Sequence, residues 1–292
     1  MLHRHRKLID TAGAVILRGC GVISASVLLM IVGFLVWKAW PAVTGIGVSR
    51  FVTDASWHPT DGRFSLVAMA AATAAVTLGA VLLAAPLGVA SAVFARFYAP
   101  RGVAAVYRRM VELLAGIPSV VFGFWGLVTL VPLIAKWGGG AGASLLAAVA
   151  VLTLMVLPTV ALLGEAALAA VAADQRRGAA ALGLGTWAGL WRVVLPAALP
   201  GLASAVLLAG MRAVGETMAV LMVAGNVVRL PGDPFAPVRV LTANIALEMG
   251  YAYGPHRSAL FFSGVVLLGL VAGGVLLADL LERGQRRAVR GG

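Results

Sequence analysis

The stretch that decides the fold is ASLLAAVAVLTLMVLPTVALLGEAALA, residues 143–169, whose single charged side chain, Glu165, stands near one end. About 20 mostly apolar residues are enough for a helix to cross a bilayer. Because lipid offers the backbone no hydrogen bonds, only helices and closed barrels span membranes. Strands of membrane barrels alternate apolar and polar residues, and this run does not alternate. The stretch therefore predicts a transmembrane helix.

Five further segments share this character. They are residues 19–37, 66–94, 111–135, 199–228 and 259–281. The chain of 292 residues is 61% hydrophobic and 12% charged, whereas an ordinary globular domain has about a quarter charged residues. Its mean hydropathy is +0.98. The sequence therefore predicts an all-α integral membrane protein with about six transmembrane helices, whose membrane domain covers residues 19–282.

The first span has one competing interpretation. Basic residues precede it, as they precede the apolar core of a secretory signal peptide. These residues are Arg4, Arg6 and Lys7. The run is long for such a core, and no small-residue cleavage site follows before Trp37. We therefore expect an uncleaved first span.

The distribution of Lys and Arg predicts the orientation. The basic residues of one side are Arg4, Arg6, Lys7, Arg96, Arg101, Arg108, Arg109, Arg176, Arg177, Arg192, Arg283, Arg286, Arg287 and Arg290. Those of the other side are Lys38, Arg50, Arg63, Lys136, Arg229, Arg239 and Arg257. Because cytoplasmic loops carry the excess of positive charge, we expect the N-terminus (1–18), the loop 171–196 and the basic tail (283–292) to be cytoplasmic. The loops 38–65 and 229–258 then lie outside, and the net charge of +12 reflects topology rather than affinity for nucleic acid.

Few residues of the chain are suited to metals or nucleotides. The single cysteine, Cys20, excludes an internal disulfide, and the four histidines are scattered. The lysines are Lys7, Lys38 and Lys136, and none follows a glycine-rich phosphate loop. We therefore expect no metal site, no cofactor and no ATPase activity in this chain.

Charged residues inside the fifth span mark a candidate site, in MRAVGETMAV, residues 211–220. A charge at the centre of a membrane helix costs about 2.5–3.5 kcal/mol on insertion scales. Arg212 and Glu216 are four residues apart, so one helix face can pair them. An ion pair that locks helix packing is one interpretation. We favour a substrate pathway, because arginine presents paired donors that match phosphate or carboxylate oxygens.

The third span offers a weaker candidate at Pro118 and Ser119. Proline removes an N–H and kinks a helix, which frees carbonyl groups that can line a cavity. A simple kink is the alternative. Ser119, together with Glu112, can also contribute to an anion path. Glu165 and Asp279 lie near span ends, where we expect solvated or interfacial side chains.

The loop DQRRGAAALGLGTWAGLWRVVLP, residues 174–196, is amphipathic. Its pattern predicts a short helix, a glycine break, a second short helix and then Leu195-Pro196. Trp187 and Trp191 are four residues apart and share a helix face. That face suits the membrane interface or a groove in another protein.

This loop resembles the EAA loop of ABC-importer permeases through the spacing of Gly183, Val193 and Leu195-Pro196. Ala179 also matches the pattern, whereas Arg177 stands where that family usually has glutamate. The resemblance implies a type I permease fold with a cytoplasmic coupling helix that contacts an ATPase subunit. The implied contact residues are Arg177, Ala179, Gly183, Val193, Leu195 and Pro196.

Four stretches resemble the permeases of phosphate-specific (Pst) importers, in the PstC form. They are WHP at 57–59, ELLAGIPSVVFGFWG at 112–126, RAVGETMAV at 212–220, and TANIALEMG at 242–250 followed by HRSAL at 256–260. The resemblance covers most of the chain from Trp57 onward. It implies that Arg212, Glu216 and Thr217, with Ser119, line the substrate pathway.

The same resemblance implies the partners and location of the chain. These are a sister permease of the PstA type, an ATPase dimer that binds ATP and Mg, an external phosphate-binding protein, and the bacterial inner membrane. Another oxyanion, such as sulfate or molybdate, stays open, as does pairing of the chain with itself. An ion-gradient transporter would need more intramembrane carboxylates, and the sequence has no Gly-x-Ser-x-Gly or His-Glu-x-x-His motif of an enzyme.

Overall fold

The computed structural model describes the backbone of residues 2–138 and 140–290 and the side chains of 13–138, 140–175 and 177–281. Basic side chains of the two termini and that of Arg176, used above for orientation, lie outside these ranges. The helices are α1 (Leu2–Pro41), α2 (Arg50–Thr53), α3 (Val67–Val93), α4 (Arg101–Gly116), α5 (Ser119–Trp125), α6 (Val131–Gly138), α7 (Leu145–Ala169), α8 (Ala173–Ala181), α9 (Thr186–Gly189), α10 (Leu195–Val214), α11 (Met218–Val223), α12 (Leu241–Glu248) and α13 (Gly254–Arg290). A short antiparallel hairpin is formed by β1 (Trp57–His58) and β2 (Arg63–Phe64).

The described part of the chain contains six helical segments long and apolar enough to cross a membrane. They are Gly13–Ile46, Val67–Tyr98, Ser119–Gly138, Leu145–Ala169, Thr186–Val214 and Gly254–Leu281. Short π-helical turns continue several of them, such as Phe94–Tyr98 at the end of the second. The prediction of an all-α protein with six spans is confirmed.

The third span begins later than the predicted residue 111. Helix α4 ends at Gly116, Ile117 is extended, and α5 starts at Ser119. Pro118 causes this break, because it lacks an N–H and disfavours helical backbone in the residue before it. Residues 111–116 therefore belong to a separate amphipathic helix, on which Val111 is buried and Leu113 is 72% exposed.

The fifth span also differs from the predicted continuous run 199–228. Its helix starts at Thr186 and passes through a π-helical turn into α10, and this local adjustment directly before Pro196 lets the membrane helix continue through a proline. It ends at Val214, and only the short α11 follows. Residues 186–196 of the predicted loop are thus continuous with the span.

The core is the contact between α3 and α7, to which α10 adds a third helix. Small residues on α3 allow this close approach. A Cβ built on Gly88 would lie 2.7 Å from Val160, and one on Gly79 would lie 2.9 Å from Val149. Leu152 and Val156 of α7 are fully buried. Helix α7, formed by the most apolar part of the stretch 143–169, is therefore the central helix of the fold.

The first span lies at the periphery. Helix α1 packs mainly against α13, where the rings of Phe34 and Phe261 meet edge to face. None of its most apolar 18-residue window is buried in the chain. Its exposed side chains are compatible with lipid, which is as apolar as they are.

The segment between α11 and α12 folds over the start of α7. The backbone N–H of Leu145 donates to Ala236, and that of Leu146 donates to Pro234. Ser144 is the N-cap of α7, and its Oγ accepts from the N–H of Ala147. The first N–H groups of a helix have no partner inside it, so these contacts satisfy α7 and hold the irregular segment in place.

Candidate functional site

The fifth span is broken between α10 and α11. Its last helical residue in α10 is Val214, and helix resumes at Met218. The hydroxyl of Thr217 donates to the carbonyl of Gly215 within the break. Non-helical backbone at membrane depth occurs where it is covered by protein or lines a cavity. This break, residues 215–217, is the centre of the candidate site.

Glu216 and Arg212 are not paired as the continuous helix predicted. The Glu216 carboxylate accepts from the N–H of Ala219 at 3.2 Å and so caps the start of α11. Among the described residues, no ion pair joins it to Arg212. The prediction of an i, i+4 pair within one helix is wrong, because the helix ends between the two residues.

Arg212 is exposed on the surface of the chain, in the last turn of α10. A cation is favoured there, since the C-terminal carbonyls of a helix carry partial negative charge. Within the described ranges its guanidinium has no ion-pair partner. Its donors are therefore open to a ligand or a second protein.

Ser119 belongs to the same level of the structure. A Cβ on Gly123 would lie 2.8 Å from the Cα of Ala219, and one on Gly126 would lie 3.0 Å from Val223. These contacts pair α5 and α11 in parallel register. Ser119 stands about one helical turn before Gly123, so this register places it level with the break. Glu112 does not belong to the site, because it is exposed on α4 and pairs with Arg109.

The predicted loop 174–196 has the expected order of short helix, glycine break and short helix, in α8 and in α9, which begins the fifth span. Gly183 has a φ of +74°, a conformation that favours glycine. Its N–H donates to Ala180, and the N–H of Leu184 donates to Ala179. These two bonds form a Schellman C-cap for α8. Gly183 therefore ends α8 and sets the direction of the chain toward α9.

The predicted coupling residues differ in exposure. Arg177, Gly183 and Pro196 are exposed, Val193 and Leu195 are half-buried, and Ala179 is buried. A separate apolar cluster seats the loop on the second, fourth and fifth spans. Its buried members are Ala92, Leu168, Val171, Leu190, Val194, Ala198 and Leu202.

Two aromatic rings stand on the outside of this loop. Trp187 is 65% exposed and Trp191 is 53% exposed, and their ring centroids are 5.4 Å apart. They share a face, as their spacing predicted. That face is free in the described chain to enter a protein groove or the membrane interface.

An ion pair between α4 and α7 was not predicted. The guanidinium of Arg108 donates two hydrogen bonds to the carboxylate of Glu165, one of them at 3.1 Å. Beside it, Ser91 and Tyr107 share a hydrogen bond of 2.8 Å. The hydrogen bonds that Arg108 donates to Glu165, and then the negative charge of Glu165, raise the pKa of Arg108 above its usual value. Glu165 and Asp279 were expected to be solvated or interfacial; Glu165 is not freely solvated, because its side chain is only 13% exposed and is paired with Arg108 near the end of the span, and Asp279 is half-buried.

A second unpredicted cluster surrounds Glu248. Its carboxylate accepts from Trp57 at 2.8 Å and from Arg239 at 2.7 Å, and it lies 2.9 Å from the ring of His256. Glu248 itself is only 7% exposed. A carboxylate within an apolar segment was the available signal, but its partners are distant in the sequence.

These features define a multi-pass membrane protein with a broken span and a pair of short helices before it, the architecture of a permease. Residues 84–287 match the family of binding-protein-dependent transport system inner membrane components. The chain belongs to this family, and it is an ABC-importer permease of type I fold.

Three relatives show the extent of the similarity. The chain is 39% identical to the probable ABC transporter permease protein YqgH of Bacillus subtilis, over 91% of this chain and 88% of the relative. It is 34% identical to the phosphate transport system permease protein PstC of Mesorhizobium japonicum, over 80% and 76%. It is 32% identical to PstC of Pasteurella multocida, over 80% and 79%. The predicted resemblance to PstC-type permeases is confirmed.

Solved structures support the fold alone. An inward-facing structure of the MetNI methionine ABC transporter matches with a TM-score of 0.59 at 23% identity, over 75% of this chain and 95% of that one. An amino acid ABC transporter matches with a TM-score of 0.55 at 17% identity, over 75% and 92%.

Proposed function

We propose that this chain is the channel-forming subunit of an ATP-driven phosphate importer, which passes inorganic phosphate by alternating access at the interface with a sister permease of the PstA type. The observation that carries the proposal is Arg212, an exposed arginine beside a break in a membrane span. The names of the PstC relatives support phosphate as the substrate.

The chemistry of the break suits a transient anion site. Arginine keeps its charge at all physiological pH values and presents donors in a planar fork that fits phosphate oxygens. Glu216 is engaged with the backbone of Ala219, so it does not neutralise Arg212 through an ion pair. The negative charge of Glu216 shortens the residence time of a bound anion. Thr217 and Ser119 add neutral hydroxyl groups at this level.

Coupling to ATP is assigned to the loop of α8 and α9. The partner ATPase dimer binds ATP and Mg. The dimer closes when ATP is bound, and this closure displaces the loop. The apolar cluster beneath it connects the loop to α3, α7 and α10, so a displacement reaches the broken span. Arg177 is exposed, and its charge calls for an acidic contact on the ATPase where a glutamate would call for a basic one.

The orientation proposed from the sequence places both termini and this loop in the cytoplasm of a bacterium, with the protein in the inner membrane. The even number of spans is compatible with termini on one side. The loops 38–65 and 229–258 then face an external binding protein that delivers the substrate. Lipid surrounds the remaining apolar surface.

Another oxyanion is the second candidate substrate. The Bacillus subtilis relative, at 39% identity, carries a name without a substrate. Arginine recognises charge and the geometry of oxygen atoms rather than the central atom. Sulfate and molybdate therefore enter the test as competitors.

The test is uptake of radiolabelled phosphate by cells that carry the whole transporter, at matched membrane abundance. Arg212→Gln removes the charge, and Arg18→Gln is the matched control, because Arg18 is exposed on the peripheral first span. We expect Arg212→Gln to abolish uptake and Arg18→Gln to keep it. In a competition assay, excess unlabelled sulfate, molybdate or phosphate is added to the labelled phosphate. Stronger suppression of uptake by sulfate or molybdate than by phosphate points to the other oxyanion. Normal uptake by Arg212→Gln removes Arg212 from the pathway.

A further inference from the structure

Stretches that are far apart in the sequence meet at one buried carboxylate. Trp57 comes from the hairpin between the first two spans, Arg239 from the loop before α12, and His256 from the start of α13. All three contact Glu248, the last residue of α12, at 2.7–2.9 Å. The two carboxylate oxygens therefore tie four segments of the chain together.

This arrangement fixes the end of α12. A buried carboxylate is costly unless donors surround it, and Glu248 is 7% exposed. Arg239 also donates to the carbonyl of Asn226 and to the side chain of Asn244, one turn before Glu248. Because these bonds cross-connect, Glu248 cannot move without moving the partners that hold it.

The opposite end of α12 contacts the break in the fifth span. The hydroxyl of Thr242 donates to the backbone carbonyl of Glu216 at 2.7 Å. The N–H of Leu241 donates to the hydroxyl of Thr73 on α3 at 3.0 Å. Thr242 is 9% exposed. A helix of this length spans about 12 Å, so α12 joins the Glu248 cluster to the candidate site directly.

We propose that α12, Leu241–Glu248, is a strut between the hairpin that carries Trp57 and the 215–217 break. Through this strut, the position of the hairpin determines the position of the break. Thr242 and Glu248 are positioning residues, because neither is assigned to the substrate. The hairpin lies outside the matched family region 84–287, and the Glu248 cluster connects it to the core. The proposal rests on the proposed function only in that the break is taken as part of the substrate path.

The linkage predicts that a change at the hairpin alters the accessibility of the break. The reporter is Met218→Cys in a Cys20→Ser background, because Met218 follows the break directly and is 44% exposed. Alkylation is measured on the peptide that contains position 218, by mass spectrometry, in the whole transporter. Trp57→Phe removes the N–H donor to Glu248 and keeps an aromatic ring, and Thr242→Val removes the hydroxyl and keeps the shape.

We expect each variant to change the alkylation rate about fivefold, the equilibrium effect of one net hydrogen bond. The double variant should change it no more than either alone, because both interrupt one connection. Thr242→Ser should restore the wild-type rate. Thr153→Val is the matched control, since Thr153 is equally buried but bonds within its own helix, and it should leave the rate unchanged.

Three results overturn the strut: no effect of Trp57→Phe, additive effects of the two substitutions, or an equal change at a second reporter. That reporter is Val128→Cys, an exposed position on the third span, which responds to general loosening. Alkylation does not depend on the transported ion. Failure of phosphate uptake by the wild-type transporter therefore rejects the proposed function while this experiment still decides the strut.

Discussion

Replacement of Gly183 by alanine isolates a backbone requirement in the loop of α8 and α9. Gly183 has a φ of +74°, and a Cβ added there would meet nothing within 4 Å. The free-energy cost of the substitution therefore comes from the backbone conformation and not from steric contact with neighbouring atoms. A left-handed conformation costs an L-residue roughly 1–2 kcal/mol. Since 1.4 kcal/mol is a factor of ten, the ratio of capped to uncapped loops should fall about 5- to 30-fold.

The assay is the affinity of the detergent-purified permease complex for its ATPase subunit. We expect Gly183→Ala to weaken binding by up to the same factor, about 5- to 30-fold, because only the fraction of loops in the competent form binds. Gly178→Ala is the control. Gly178 lies inside α8, where a Cβ also meets nothing within 4 Å, and alanine favours a helix by up to about 1 kcal/mol. Equal affinities for wild type and Gly183→Ala refute the reasoning.

Two further predictions concern stability. Gly88→Ala places a Cβ 2.7 Å from Val160 and should lower the stability measured by thermal unfolding by about 1–3 kcal/mol. Gly269→Ala, where a Cβ meets open space, is the control and should not lower it. Equal melting temperatures of the two variants contradict the close packing of α3 and α7. The N–H of Phe64, and then Arg50, lower the pKa of Asp54, so its contribution to stability is complete above the unfolded value and is lost as pH falls through the folded one. The destabilisation by Asp54→Asn should thus be constant above about pH 5 and should shrink below pH 3.8, the ordinary pKa of the carboxyl group. If the destabilisation already shrinks near neutral pH, the effect belongs to another group.

The spans could be predicted from sequence because hydropathy is a local property. The segment 143–169 agrees with α7 to within two residues at its start. The break at Pro118 has a local cause too. The sequence prediction nevertheless joined residues 111–116 to the span, because the amphipathic helix before the break contains many apolar residues. The break at 215–217 has no proline, and its form depends on a contact from α12 that no local pattern shows.

Arg212 stands out in the sequence because a charge in an apolar run is unusual wherever the run folds. Its relation to Glu216 could not be derived, since the i, i+4 rule holds only within an unbroken helix. The bond between Trp57 and Glu248 joins residues 191 positions apart. Such a contact is decided by the packing of spans, so the stretches were recognisable as family features while their meeting point was not.

The peripheral position of α1 has a consequence for biogenesis. Helix α1 is synthesised first, yet its main packing partner, α13, is synthesised last. At about 5–20 residues per second, the intervening residues 42–253 take roughly 10–40 s to emerge. During that time the first span lacks its main packing partner in the described part of the chain, so we expect it to stay in lipid or with the insertion machinery. The packing of α1 against the fold is therefore a late step, which has to wait until α13 has been synthesised.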